Sequence, residues 1–400
     1  MGRVMPLPLY GTATHAAGLS ADKKRRSAIR LRLLQNNNAL IASDFALVKT
    51  PGQLKYAIDN WQSIFIISDG SITIPPMESS GQRLIVVPPQ FGYLDDGDVV
   101  GFDHSSKKFR TLFRRNSTHN SLLVTERCNN YCLMCSQPPK DIDDGWILDE
   151  IREALPLLDP MTRALTFTGG EPLTDWSNFI SLLKQCRDQL PNTSLQVLTN
   201  GRAFARSEIV DAWKNIEHPN LMAAIPVYAS VDSVHDHVVQ AKGAFDETVL
   251  GILKLKDRRQ RVEIRVVLHA LTAPIISETC RWIARNLPFV DHVALMGLEN
   301  TGFAIANDAI LWIDPVDYRD ALAEAVDCLI AADVNVSIYN LPKCVLDRSV
   351  WQYAVQSISD WKNGFVEECD RCIEKATCSG FFTTGRPRMS RGICAITSLA

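Results

Sequence analysis

From Ser121 onward the chain alternates short apolar or β-branched runs with longer amphipathic stretches, and nothing else restricts its fold as much. Strand candidates are SLLVT at Ser121, RALTFT at Arg163, LQVLT at Leu195, MAAIPVYAS at Met222, VEIRVVLH at Val262 and HVALM at His292. Helices are expected between them, near 148–158, 176–190, 206–214, 245–258 and 275–285. Strands separated by helices form a parallel sheet, because a parallel neighbour needs a long crossover. Six such units fall short of an eightfold barrel of about 250 residues. The span fits an α/β partial (β/α)6 barrel, open on one side. Pro226 removes a ladder donor inside the fourth strand, which predicts a bulge or an edge there.

The flanks differ. Residues 1–118 carry short apolar runs (SIFIIS, RLIVVP, DVVGF) broken by Gly, Pro and Asp, and DDGDVVGFDHSSKKFRTLFRR reads as a hairpin. That is an N-terminal β-rich domain without a catalytic constellation. The barrel is expected over 119–300. A C-terminal extension, 301–400, holds a helix from Pro315, a strand from Val334 and a Cys-rich tail.

Charge and targeting signals exclude several classes. A net charge of −3 predicts no nucleic-acid or membrane-surface partner. The KKRR run at Lys23 to Arg26 reads as a solvated helix face. No apolar run approaches the roughly 18 residues of a membrane span. The first residues lack a signal-peptide core, and Pro6 stands where myristoylation needs Ser or Thr. A cytoplasmic protein is expected, with its thiols reduced. Its eleven cysteines therefore need a role other than disulfides. Cys186, Cys280 and Cys328 read as small helical hydrophobes. Cys394 is either a spare ligand or a free terminal thiol.

The unusual residues follow strand after strand, where parallel barrels keep their active sites. TERCNNYCLMCSQPPK follows the first strand and brings Cys128, Cys132 and Cys135 together. GGEP (Gly169, Gly170, Glu171, Pro172) follows the second, NG (Asn200, Gly201) the third, and Ser230 and Asp232 close the fourth. Three thiolates on a 4Fe–4S cluster leave one iron open to chelate a ligand with an amine and a carboxylate, such as the methionine part of S-adenosylmethionine (SAM). The glycine pair lets backbone approach a ligand, and Glu171 offers a carboxylate to an ammonium. On the fifth strand Glu263, Arg265, Val267 and His269 share the polar face, so Arg265 points a guanidinium fork into the lumen. Plainer readings stand beside these. They are zinc completed by a distant fourth ligand, a simple turn at GGEP, a structural Arg265–Glu263 pair, a capping Asp232 and solvated or capping His235 and His237. Glu263, His269 and Asp232 face the lumen without an assignable acid or base role.

Cys128-x3-Cys132-x2-Cys135 followed one βα unit later by GGEP resembles the radical SAM enzymes, over about 121–297. The resemblance implies that Cys128, Cys132 and Cys135 hold the SAM-binding 4Fe–4S cluster. It implies further that the backbone beside Met134 meets the adenine and that Gly169, Gly170 and Glu171 take the methionyl amine. Asn200 and Ser230 would approach the ribose, and Arg265 the carboxylate. The implied reaction is reductive cleavage of SAM to a 5′-deoxyadenosyl radical, with an electron donor and an oxygen-labile cluster. NNYCLMCSQPP, MGLENTGFA, IYNLPKCVL and SISDWKN are similar to the C-type radical SAM maturase of the His-Xaa-Ser system. That implies a ribosomally made His-Xaa-Ser repeat peptide or protein as substrate and a partner radical SAM maturase. In the tail, Cys344, Cys369, Cys372 and Cys378 resemble the ligands of a single auxiliary 4Fe–4S cluster, and four thiolates suit zinc equally. The alternatives are a radical SAM enzyme acting on a small molecule or RNA, and a non-catalytic metal-binding scaffold of a maturase complex.

Overall fold

The structure is a computed structural model and describes residues 7–19, 26–35, 40–73, 81–384 and 388–398. Pro6 and the basic run up to Arg25 lie outside the described residues.

The apolar runs of the first segment build an eight-stranded mixed sheet. Its strands are β1 (Tyr10–Thr12), β2 (His15–Ala17), β3 (Arg26–Arg32), β4 (Asp44–Val48), β5 (Ser63–Ile67), β6 (Arg83–Val87), β7 (Val99–Asp103) and β8 (Lys108–Phe113), in the order β1-β8-β7-β3-β4-β5-β6-β2. β7 and β8 form the expected antiparallel hairpin. The run β3-β4-β5-β6 is parallel, which the strand-rich sequence does not suggest. Its β4–β5 crossover is α1 (Pro51–Asn60), started by a capping box in which Thr50 and Gln53 satisfy each other's backbone N–H groups.

The second sheet has eight parallel strands in chain order. They are β9 (Ser121–Thr125), β10 (Ala164–Gly169), β11 (Ser194–Leu198), β12 (Leu221–Pro226), β13 (Arg261–Leu268), β14 (His292–Gly297), β15 (Val336–Tyr339) and β16 (Ala354–Val355). All six expected strands are present. Two more from the C-terminal segment extend the same sheet, so it exceeds the six-stranded expectation. Between the strands run α2 (Trp146–Ala154), α3 (Trp176–Gln189), α4 (Ser207–Lys214), α5 (Asp232–Val239), α6 (Ala244–Asp257), α7 (Ile276–Asn286), the short α8 (Phe303–Ala306) and α9 (Asp308–Leu311), and α10 (Arg319–Ala331). One face, with Phe167, Val197, Ile225, Ile264, Val266 and Leu295, is sealed in the core. The alternate residues, among them Thr166, Gln196, Arg265, Val267, Met296 and Tyr339, stay half-buried on a more open inner face.

Two expectations need correction. β12 lies between β11 and β13, so Pro226 sits at neither an edge nor a bulge. The β11 ladder stops at Ala224, while the β13 ladder runs on through Pro226 and Arg265. Ala224 O accepts from Thr199 N, so residues of its parity turn their polar groups toward β11. The donor Pro226 lacks is one that β11 has ceased to use. His235 is not solvated. It is 1% exposed, accepts from Tyr228 N at 3.2 Å and lies between the rings of Tyr228 and Phe245.

Burial pushes His235 and His269 down to about 4. Below the unfolded-state value near 6.5 the unfolded chain binds more protons, so both sites lose stability as pH falls from about 6.5 toward 4. Asp98, raised by burial to about 6, works the other way over the same range. A His235→Asn variant, which keeps an acceptor, isolates the histidine share. Its unfolding free energy from denaturant titration should fall less between pH 7 and pH 5 than that of the wild type, by roughly 1–2 kcal/mol. Equal falls would rule out a neutral buried His235. Among the described residues no helix is long and apolar enough to cross a membrane.

Candidate active site

The cysteine loop leaves β9 under tight control. Asp144 accepts from Thr125 Oγ1 at 2.7 Å, Glu126 N at 2.6 Å and Arg127 Nε at 3.0 Å. Burial works against this carboxylate, but those donors hold it below the usual range. Cys128, Cys132 and Cys135 follow and are partly buried. Burial pushes Cys128 up to about 11 and Cys132 up to about 12, and Cys135 and Cys128 push Cys132 the same way, so the three are electrostatic neighbours. Met134 turns its side chain into the core at 7% exposure.

Four neighbouring segments clamp this loop. After β10, Gly170 N donates to Thr125 O and Glu171 N to Arg127 O, both at 2.8 Å. A Cβ on Gly170 would lie 2.5 Å from the Arg127 carbonyl carbon, and one on Gly169, whose φ is +148°, would meet Thr125. The close approach these glycines allow is therefore to the cysteine loop itself. After β11, Asn200 Nδ2 donates to Asn129 Oδ1 at 2.6 Å, while Arg202 Nη1 reaches Asn130 Oδ1 at 2.6 Å and Asn129 O at 3.0 Å. At the end of α5, the Val238 and Val239 carbonyls accept from Leu133 N and Tyr131 N. After β14, Phe303 N donates to Cys135 O at 2.8 Å and Asn307 Nδ2 to Leu133 O at 2.8 Å. Gly302, at φ +56°, permits that contact, since a Cβ there would lie 2.6 Å from Ser136 O.

Glu171 is 1% exposed and ties two of these segments together. It accepts from Leu173 N at 2.9 Å, Thr199 Oγ1 at 2.7 Å and Asn200 N at 2.6 Å. Burial raises its pKa against those three donors. A carboxylate has about four acceptor positions, so one remains. Ser230 donates to Glu278 at 2.9 Å, and Asp232 begins α5. Arg265 contacts Met296 Sδ at 3.0 Å and reaches Glu263 only at 3.7 Å, so its guanidinium holds no tight ion pair. Tyr228, buried beside it, feels both Arg265 and Cys132. On the inner face Glu263 accepts from Gln196 at 3.1 Å and pairs with His292 Nδ1 at 3.0 Å; His292 Nε2 meets Ser337 Oγ at 2.9 Å. The sequence reading missed Asp144, Asn129, Arg202 and this chain. Only Arg202, directly after NG, carried a visible signal.

The C-terminal strings interlock with the site. In MGLENTGFA, Glu299 accepts from Lys362 of SISDWKN at 2.7 Å and from Thr384 at 2.8 Å. In IYNLPKCVL, Asn340 N donates to Ser357 Oγ, and Ser357 Oγ donates back to Asn340 Oδ1, both at 2.9 Å. Further out, Cys344, Cys369, Cys372, Cys378 and Cys394 line one pocket. Among the described residues no three His, Cys, Asp or Glu side chains are placed to hold a single metal ion. The donor set in both places is thiol: Cys378 is buried, Cys394 exposed and the other thiols of the two groups partly buried, and Asn130 N donates to Cys128 Sγ and Ile396 N to Cys372 Sγ, both at 3.4 Å.

Residues 122–283 match the Radical SAM superfamily, so the chain carries a radical SAM domain. That family implies a 4Fe–4S cluster and SAM. Among solved structures the chain is similar to Streptococcus suis SuiB bound to S-adenosylmethionine, with 15% identity over 55% of this chain and 49% of that one, at a TM-score of 0.43. It is similar to anSMEcpe with bound AdoMet, with 15% identity over 55% and 63%, at 0.42. It is similar also to coproporphyrinogen III oxidase (HemN) from Escherichia coli, with 14% identity over 53% and 52%, at 0.42. The chain thus spans about half the length of SuiB. No curated protein matches it.

Proposed function

We propose that this chain is a radical SAM enzyme that modifies a ribosomally made peptide. The observation that carries the reading is the cysteine loop, in a matched radical SAM domain, held by the segments after β10, β11 and β14. A bound three-thiolate 4Fe–4S cluster supplies the open iron and the electron for reductive SAM cleavage. The chain's own residues would then bind and orient the cofactor. The free acceptor position of Glu171 takes the methionyl ammonium beside Gly169 and Gly170, and Arg265 takes the carboxylate. Asn200 and Ser230 face the ribose, and the backbone at Met134 the adenine. The tail thiols hold an auxiliary 4Fe–4S cluster, with zinc the alternative that metal analysis decides. The proposed radical SAM core, expected over 119–300 as a partial barrel, shares its sheet with β15 and β16 of the C-terminal segment.

The narrower reading is a C-type maturase of the His-Xaa-Ser system, working with a partner maturase. Its support is that the strings resembling that family contact one another and the cysteine loop. The test is anaerobic reconstitution with iron and sulfide, followed by SAM and dithionite. The expected product is 5′-deoxyadenosine, with more of it when a His-Xaa-Ser repeat peptide is added. Absence of 5′-deoxyadenosine sinks the enzyme reading; its formation without any response to the peptide sinks only the substrate.

A further inference from the structure

The tail pocket holds one thiol more than a cluster or a zinc ion takes. Cys394 stands in the sequence as an isolated terminal cysteine, yet it lines the same pocket as Cys344, Cys369, Cys372 and Cys378. It is not carried there by a loose end. Arg391 N donates to Asp314 at 3.0 Å, and the Ser390 and Arg391 side chains bond to Asp314 and Asp317. Beyond it, Ile373 N donates to Ile396 O at 2.9 Å, and Arg348 reaches Ser398 O at 3.3 Å. This terminal segment also points a donor at the thiols, Ile396 N at Cys372 Sγ at 3.4 Å.

The five thiols divide unequally. Cys369, Cys372 and Cys378 come from one short run, whereas Cys344 follows β15 and Cys394 arrives on the terminal segment that lines the same pocket. We propose that Cys344 and Cys394 are interchangeable fourth ligands of the tail site, so that either closes it with Cys369, Cys372 and Cys378. Exchange of one thiolate for another is redox-neutral: the arriving thiol gives up a proton and the departing one takes one. The inference rests on the tail reading above.

The test uses the full chain with Cys128, Cys132 and Cys135 all changed to alanine, so that only the tail carries metal. Iron, sulfide and zinc are counted after anaerobic reconstitution, and the dithionite-reduced spin signal is recorded. Cys344→Ala and Cys394→Ala should each keep about the parent's metal, roughly four irons or one zinc per chain, with a changed signal in whichever variant loses the resident ligand. The double variant, left with three thiolates, should keep a quarter of the zinc or less or, for an iron cluster, show a spin signal that neither single variant shares. Either single variant matching the double in both metal content and signal overturns the proposal. Melting temperatures of the metal-free proteins separate loss of a ligand from loss of fold. If the parent itself binds neither iron nor zinc, the tail reading fails first and this inference falls with it.

Discussion

A Gly170→Ala protein is expected to lose its iron at the cysteine loop and, with it, SAM cleavage by on the order of 100-fold or more. The added Cβ would sit 2.5 Å from the Arg127 carbonyl carbon and 3.1 Å from Cys128 Cβ. The nearest of these atoms are backbone, so no side chain can swing aside, and the two loops must separate. Separation breaks the bonds from Gly170 N to Thr125 O and from Glu171 N to Arg127 O. Overpacking of this kind costs about 1–3 kcal/mol and each lost hydrogen bond about 1 kcal/mol. A total near 3–5 kcal/mol falls within the margin of a typical fold, so the chain should fold with its cysteine loop displaced. Gly52→Ala is the control: it lies in the first turn of α1 with open space around it and should change stability by less than about 0.5 kcal/mol. Iron per chain and 5′-deoxyadenosine yield check both. Wild-type iron loading in Gly170→Ala would show that the glycine is not set by the approach to Arg127.

That steric requirement was only half legible in the sequence. A glycine pair signals a close approach, but not to what, because Arg127 and Gly170 meet only once β9 and β10 pair. The strands announced themselves through short apolar runs, and the cysteines through local spacing. β16 did not, since two residues carry no periodicity. α1 was hidden by having only Leu54 and Ala57 buried, although its capping box was readable. Glu171 looked like a free carboxylate because its three donors come from the turn after it and from β11's end, positions that no spacing connects. The strings around Asn340, Ser357, Glu299 and Lys362 had no mechanism in sequence, as each bond crosses 17 or 63 residues. They are contact surfaces that meet one another only in the folded chain.

Single replacement of Cys132 by alanine should abolish SAM cleavage outright, and the contrast with the tail gives the reason. The three-thiol loop has no spare. Cys186, Cys280 and Cys328 lie in α3, α7 and α10, and the tail thiols line their own pocket. The acidic group beside the loop, Glu171, is locked by three hydrogen bonds and cannot turn to replace a thiolate without undoing the loop it holds. Two thiolates and no substitute leave a cluster open at two irons, and such a cluster is lost or rebuilt. The metal-free protein should hardly notice, since trimming one partly buried thiol costs about 1 kcal/mol or less. Cys132→Ala is therefore expected to melt like the wild type when both are metal-free. After reconstitution it should carry roughly four fewer irons per chain than the wild type, and it should yield no 5′-deoxyadenosine. Cys344→Ala, which leaves Cys394 in place, should keep both irons and product. A Cys132→Ala protein that cleaves SAM at the wild-type rate would mean that the open iron lies elsewhere in the chain.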